Sequence, residues 1–157
     1  MPSNKHNLKA ALAYLDGFQF HGFRLGLERM TRILNAFGSP EKTYPCLHVA
    51  GTNGKGSVSA IIASILHAAE YKTGLYTSPH LSSLRERFKI GNTLISEEEL
   101  KEQIWRIRNF LEKGYYLSYF EFTTAIAMVW FAKQNIELAI FETGLGGRLD
   151  ATNIINP

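Results

Sequence analysis

The fold of this chain is decided by the stretch Leu47-His48-Val49-Ala50-Gly51-Thr52-Asn53-Gly54-Lys55-Gly56-Ser57, in which an apolar run passes into a glycine-rich loop with one lysine. We expect the glycines at 51, 54 and 56 to adopt positive φ, so that backbone N–H groups turn inward around an anion. A helix predicted from 57 to 69 would point its positive dipole end at the same anion. Strand, glycine loop and helix in this order predict a phosphate-binding loop rather than an ordinary glycine-rich turn.

The loop departs from the commonest phosphate-binding pattern, G-x-x-x-x-G-K-[ST]. Val49 stands six residues before Lys55, where that pattern has glycine, and Gly56 follows the lysine, so the hydroxyl comes one place late. With these departures, residues 51–57 resemble the loop of the folylpolyglutamate synthase and dihydrofolate synthase family, relatives of the Mur ligases. The resemblance implies that ATP is bound by Gly51, Thr52, Asn53, Gly54, Lys55, Gly56 and Ser57.

A second stretch, I-F-E-T-G-L-G-G-R-L-D-A-T-N-I-I at 140–155, is similar to the other signature of that family. A short apolar strand is predicted from 138 to 141, and Glu142 follows at the edge where open α/β sheets bind ligands. A carboxylate there can hold Mg²⁺, and the alternative is a helix-capping or ion-paired acid. The resemblance implies that Glu142 acts in catalysis together with Lys55.

Glycines crowd the segment after that strand. Gly144, Gly146 and Gly147 indicate a tight backbone that passes close to another group. Arg148 and Asp150 follow, and their side chains are available either to a phosphate or to each other as a structural ion pair. The residues alone leave both interpretations open.

A turn with the sequence Ser78-Pro79-His80-Leu81 follows the second predicted strand, residues 73–77, at the same edge of the sheet. The resembling family places a magnesium-binding serine just before such a proline, which implies that Ser78 is a metal ligand beside Glu142. A hydroxyl suits Mg²⁺, because this ion takes only a few protein oxygens beside substrate phosphates. Without the family, the serine would merely start a turn.

Apolar and charged residues alternate from Leu84 to Ile90, which is typical of an exposed strand or hairpin arm. In the resembling family the corresponding Glu-Arg segment borders the folate site, which implies that Arg85 or Arg87 meets a substrate carboxylate bidentately. A solvated charged face is the alternative that the residues alone favour. His80, in the preceding turn, is a further candidate for lining the substrate site.

Apolar spacing predicts two helices before the first strand, a capped helix from Ser96 to Gly114, and a nearly all-apolar helix from 120 to 132. Glu121 is awkward in the last of these and is only a weak site candidate. Strands at Leu47, Leu75 and Leu138 alternate with helices, so we predict an α/β fold with a parallel sheet flanked by helices, of the P-loop NTPase type. The resemblance refines this fold to the central domain of the Mur ligases.

Composition excludes several classes of protein. The chain has 157 residues, 45% hydrophobic and 20% charged, which is typical of one soluble globular domain. A net charge of +3 without a basic stripe argues against nucleic-acid binding, and the single Cys46 excludes an internal disulfide framework. The most apolar run, residues 125–132, is too short for a membrane span, so we predict a cytoplasmic protein without membrane partners.

The resemblance implies an ATP-dependent ligase that adds L-glutamate to dihydropteroate or a reduced folate through an acyl phosphate. It also implies that residues 1–157 form the N-terminal part of the ATP-binding domain, truncated before the C-terminal glutamate-binding domain. A catalytically inactive nucleotide-binding module, able to self-associate through the truncated sheet edge, is one alternative. A fragment of a cell-wall Mur ligase is another, which Gly56 disfavours because those relatives usually carry a hydroxyl there.

Overall fold

The computed structural model describes residues 7–21, 26–112, 114 and 116–157, and for residues 20 and 21 it describes the backbone alone. The helices are α1 (Leu8–Asp16), α2 (Glu28–Ala36), α3 (Lys55–Ala68), α4 (Glu97–Leu111) and α5 (Tyr119–Lys133). The strands are β1 (Cys46–Val49), β2 (Thr73–Tyr76), β3 (Phe88–Ile90), β4 (Thr93–Leu94) and β5 (Leu138–Glu142). Short 3₁₀ turns occupy Gly17–His21, Pro40–Lys42, Leu84–Arg87 and Ala151–Ile154.

The sheet has the strand order β1-β5-β2-β3-β4, and its three strands β1, β5 and β2 are parallel. The predicted parallel α/β sheet is therefore confirmed for these strands, which α3 and α5 connect. The remaining two strands form an antiparallel hairpin, because β3 follows β2 through a turn instead of a crossover helix. The prediction of an exposed strand or hairpin arm from Leu84 to Ile90 is wrong in part, because residues 84–87 form a 3₁₀ turn and Phe88 is fully buried.

The two faces of the sheet are covered by different helices. Phe141 of β5 packs against Phe131 of α5, with ring centroids 5.8 Å apart. Glu142, the next residue of the strand, lies beside Gly56 of α3. Successive side chains of a strand point to opposite faces, so α3 covers one face and α5 the other.

Helix α5 is the centre of the core and packs against α1, α2, α4 and the sheet. Residues 121–131 are all buried, as its nearly uniform apolar sequence predicts. Ser118 and Glu121 form a capping box at its start, and the Glu121 carboxylate also accepts hydrogen bonds from Arg29 Nε at 2.9 and 3.2 Å. The acid that looked awkward in the sequence therefore caps its own helix and holds α2 against it.

Candidate functional site

The predicted phosphate loop lies between β1 and α3 at the carboxyl edge of the parallel strands. Gly51 and Gly54 have φ of 154° and 77°, as expected from the sequence. The helix begins at Lys55, two residues earlier than predicted, so Gly56 lies inside its first turn. The expectation of positive φ at Gly56 is wrong, because that residue is helical.

Gly56 faces the acid that ends β5. A Cβ at this position would lie 3.6 and 3.7 Å from the two carboxylate oxygens of Glu142, at ordinary van der Waals distance. The first turn of α3 therefore passes directly beside this carboxylate. In this way the loop and the acid, which are far apart in the sequence, border one small volume.

Ser78 lies at the same place, after β2. Its backbone N–H donates to Glu142 Oε2 at 3.1 Å. Glu142 itself is only 5% exposed, and no described residue forms an ion pair with it. The structure thus brings Lys55, Ser78 and Glu142 to one edge, although their roles remain predictions.

The start of α3 differs from the starts of the other long helices. Capping boxes close α4 and α5, with serine and glutamate side chains bonded to the first-turn backbone. No side chain caps α3, and its first turn contains no acidic residue. The N–H groups of this turn and the positive end of the helix dipole are therefore directed at the loop without an internal anion, which suits phosphate.

The glycine-rich segment after β5 is held by Asp150. This carboxylate is buried and accepts hydrogen bonds from the backbone N–H groups of Gly144, Leu145 and Thr152, at 3.0, 2.9 and 2.9 Å, and from Thr152 Oγ1 at 2.5 Å. Arg148 is exposed, and no ion pair joins it to Asp150 in the described structure. The Asp150 carboxylate therefore closes this loop. This use agrees neither with an ion pair to Arg148 nor with a contact to phosphate.

A cleft opens beside Ser78, between the 3₁₀ turn at Gly17–His21 and the start of α5. Its larger part has a volume of about 490 Å³ and is lined by Phe18, Gln19, Pro79, His80, Arg87, Ser118, Tyr119 and Phe120. A smaller part of about 300 Å³ shares four of these residues and extends the cleft to Ser78, Gly144 and Leu145. The cleft therefore leads from an aromatic pocket to the edge where Ser78 and Glu142 meet.

Arg87 is the charged residue of this cleft. It is 7% exposed, its Nε donates to His80 Nδ1 at 2.9 Å, and its guanidinium lies 5.5 Å from the centre of the Tyr119 ring. No carboxylate of the described residues lies within ion-pair distance of it. Burial, followed by the Arg87 charge, lowers the pKa of His80, which favours the neutral ring that this hydrogen bond needs.

Arg85 lies outside the cleft, although the sequence made it an equal candidate. Its Nε donates to the carbonyl oxygen of Ile95 at 2.6 Å, and its guanidinium lies 3.8 Å from Glu97. It therefore ties the 3₁₀ turn to the start of α4. Of the three residues predicted to bind substrate, the structure brings together His80 and Arg87 only.

Several groups at the site had no signal in the sequence analysis. Tyr76, Thr123 and Thr124 form a buried hydroxyl cluster beneath Arg87, and Tyr76 Oη lies 2.8 Å from Thr123 Oγ1. Thr143 Oγ1, next to Glu142, is buried without a hydrogen-bond partner in the described structure. Only the position of Thr143 directly after a strand could have indicated it.

A metal site built from protein acids alone is not present in the described ranges, where no group of three or more His, Cys, Asp or Glu side chains could hold an ion. The residues nevertheless suit Mg²⁺ shared with a phosphate. Glu142 is a buried carboxylate with one backbone donor and no cationic partner among described residues, and that donor is the N–H of Ser78, a residue whose hydroxyl is a suitable ligand type for this ion. None of the helices in those ranges is long and apolar enough to cross a bilayer.

Comparisons with known proteins identify relatives of this chain. No protein-family model matches the chain. The dihydrofolate synthase/folylpolyglutamate synthase of Bacillus subtilis is 39% identical over 153 residues, which are 94% of this chain and 36% of the relative. The structure superposes on folylpolyglutamate synthase from Thermotoga maritima with a TM-score of 0.87 at 40% identity, covering 95% of this chain and 36% of that one. It also matches an FPGS–AMPPCP–folate complex with a TM-score of 0.89 at 34% identity, over 96% and 38% of the two chains.

Proposed function

This chain belongs to the folylpolyglutamate synthase/dihydrofolate synthase family over the roughly one third of those enzymes that it spans, and from that premise we propose that it provides the ATP-binding site and the folate cleft of an ATP-dependent ligase. The reaction adds L-glutamate to dihydropteroate or a reduced folate. The substrates are small molecules, and the compartment that suits them is the cytoplasm. The observation that carries this proposal is the meeting of the uncapped α3 terminus, Ser78 and buried Glu142 at one edge of the sheet.

In this proposal the phosphates of ATP lie on the loop at 51–57. Its backbone N–H groups and the Lys55 ammonium neutralise phosphate charge, and Gly56 sets the first turn of α3 beside Glu142. Ser78 and Glu142 would hold Mg²⁺, which neutralises charge on the transferring phosphoryl group when bound. No covalent nucleophile is required, because positioning and electrostatic stabilisation dominate phosphoryl transfer.

The acidic substrate would occupy the cleft beside Ser78. Phe18, Tyr119 and Phe120 provide aromatic walls for a flat ring. The guanidinium of Arg87, buried without an acidic partner in the described structure, provides the charge that a substrate carboxylate needs. The smaller part of the cleft joins this pocket to Ser78, so the carboxylate to be activated can approach the γ-phosphate.

The relatives are almost three times as long as this chain, which spans 36% of the first of them. We propose that these residues are the N-terminal part of the ATP-binding domain and that glutamate is bound by a further domain. An apolar stripe on α3 supports this proposal, because Val58, Ile61 and Ile65 are 46%, 60% and 63% exposed. Further secondary structure beside β1 would cover this stripe.

Calorimetry with ATP and MgCl₂ tests the nucleotide site. We expect the wild-type chain to bind, Lys55→Ala to lose binding, and the matched control Lys101→Ala to bind like the wild type, because Lys101 pairs with Glu98 on α4. Equal binding by the two variants would contradict the role of Lys55. The same titration with Glu142→Gln should lose its dependence on Mg²⁺, since the amide is a poorer ligand for this ion.

A second candidate function is a nucleotide-binding module without catalysis, which the exposed stripe and the edge strand β1 favour because two copies could cover each other. Folate binding and oligomeric state separate the two candidates. A monomer that binds both ATP and folate supports the ligase. Nucleotide binding without folate binding, in a chain that dimerises, supports the module.

A further inference from the structure

The hydrogen bond between Arg87 and His80 joins two elements of the cleft. Arg87 ends the 3₁₀ turn at 84–87, and His80 lies in the turn that follows β2. Arg87 Nε donates to His80 Nδ1 at 2.9 Å. Since Nδ1 accepts this bond, it carries no proton, and the ring proton is on Nε2.

The turn that carries His80 is itself held rigidly. Glu86 accepts hydrogen bonds from the backbone N–H groups of Leu81, Ser82 and Ser83, at 2.8, 3.0 and 2.7 Å. These bonds lower the pKa of the Glu86 carboxyl, mainly through the Leu81 and Ser83 donors. His80 therefore presents its acceptor nitrogen from a backbone that is fixed next to it.

A guanidinium in this position needs such a partner. Arginine has five N–H donors and loses rotamer freedom when it is held in one conformation, and the contact with Tyr119 restrains the position of the guanidinium plane without fixing its rotation. The bond to Nε fixes the rotation of that plane and leaves the terminal Nη groups available to the cleft that Arg87 lines. Without it, the side chain can rotate onto other acceptors or water.

We propose that His80 is a positioning residue, which accepts Arg87 Nε–H on Nδ1 and thereby aims the terminal nitrogens of Arg87 at an acidic group of the ligand in the cleft. This inference rests on the proposed function, because it assigns the cleft to an acidic aromatic substrate. His80 acts on that substrate through Arg87.

Three substitutions test this arrangement with folate as the probe. His80→Asn places an acceptor near the position of Nδ1, His80→Gln places its amide near Nε2, and His80→Ala has neither. We expect His80→Asn to bind folate within about twofold of the wild type, whereas the other two bind about tenfold more weakly, which corresponds to ~1.4 kcal/mol. Calorimetry measures these affinities, and equal thermal midpoints show that the variants fold alike.

A second measurement needs no ligand. The Arg87 Nε–H proton, observed by NMR, should exchange slowly with water in the wild type and in His80→Asn, and faster in His80→Ala and His80→Gln. Unchanged exchange and folate affinity in His80→Ala would overturn the inference, as would identical behaviour of His80→Asn and His80→Ala. A wild-type chain that does not bind folate overturns the proposed function, whereas the exchange measurement still decides whether His80 positions Arg87.

Discussion

Replacing Gly144 with alanine tests how the loop after β5 is held against α5. A Cβ at Gly144 would lie 2.6, 2.8 and 3.0 Å from three atoms of the Phe120 ring, and φ at this glycine is not positive, so the conflict is purely steric. Carbon atoms rest about 3.5–4.0 Å apart, so the ring or the loop must move by roughly 1 Å. Overpacking of this kind costs about 1–3 kcal/mol.

Thermal unfolding measures this cost. For a chain of this size, ~2 kcal/mol lowers Tm by about 4–8 °C. Gly147→Ala is the matched control in the same loop, because a Cβ there meets nothing within 4 Å and φ is not positive. We expect that control to lie within about 0.5 kcal/mol of the wild type.

The double variant Gly144→Ala/Phe120→Leu identifies the cause. Leucine removes the ring atoms that the new methyl group meets, so the two substitutions should cost less together than the sum of their separate costs, by about 1 kcal/mol. Additive costs, or a Gly144→Ala protein as stable as Gly147→Ala, would refute the steric reasoning. Because Glu142 precedes this loop by two residues, Gly144→Ala should also weaken ATP binding in the presence of Mg²⁺.

Three further predictions concern buried or half-buried groups in or near β1. Asp150→Ala should lower the free energy of unfolding by about 2–4 kcal/mol in chemical denaturation, because it leaves three backbone N–H donors without their acceptor; an effect below about 1 kcal/mol would show that water replaces the carboxylate. Burial, followed by the Glu41 charge, raises the pKa of the Cys46 thiol to about 12, so only about 10⁻⁴ of the thiol is ionised at pH 8. Iodoacetamide should therefore label Cys46 only when the chain unfolds. Rapid labelling of the native protein would contradict this. Burial also lowers the pKa of His48, against the opposing Asp150 charge, so the unfolded chain binds more protons and stability should fall as the pH drops below about 6.5. His48→Gln, whose amide can replace the Nε2 contact with Thr152, should flatten that slope in urea unfolding followed against pH, and an unchanged slope would assign it to another group.

Much of the fold is readable from local patterns. A capping box predicts the start of α4 correctly, because the serine, the glutamate and the backbone groups that they satisfy lie within three residues. The same signal at Ser118 and Glu121, where α5 starts, was not recognised. The hairpin turn at 84–87 was missed, because the alternation that suggests a strand there also fits a 3₁₀ turn whose arginines point to different partners. Over only four residues, the spacing of apolar side chains does not distinguish a strand from a 3₁₀ turn.

The candidate site shows the same division. Lys55, Ser78 and Glu142 were predicted to lie together because each comes at or after the end of a parallel strand, and the carboxyl ends of such strands share one edge. The roles of these residues came from the family resemblance and stay predictions. The sequence did not show which of Arg85 and Arg87 lines the substrate cleft, because both are arginines of one short turn. Burial against Tyr119 separates them, and that contact joins the turn to a helix more than thirty residues away.

The sequence by itself determined the order of strand, glycine loop and helix, the parallel strands and the capped start of α4, because these depend on residues close along the chain. Only the tertiary structure decided that Gly56 faces Glu142, that Asp150 closes a loop rather than binding phosphate, and that the Ser78 N–H meets a carboxylate 64 residues away. The physical reason is that close approach and burial depend on how separate elements pack. Spacing along the chain determines which groups are near the edge of the sheet, and packing determines which of them have room for a ligand.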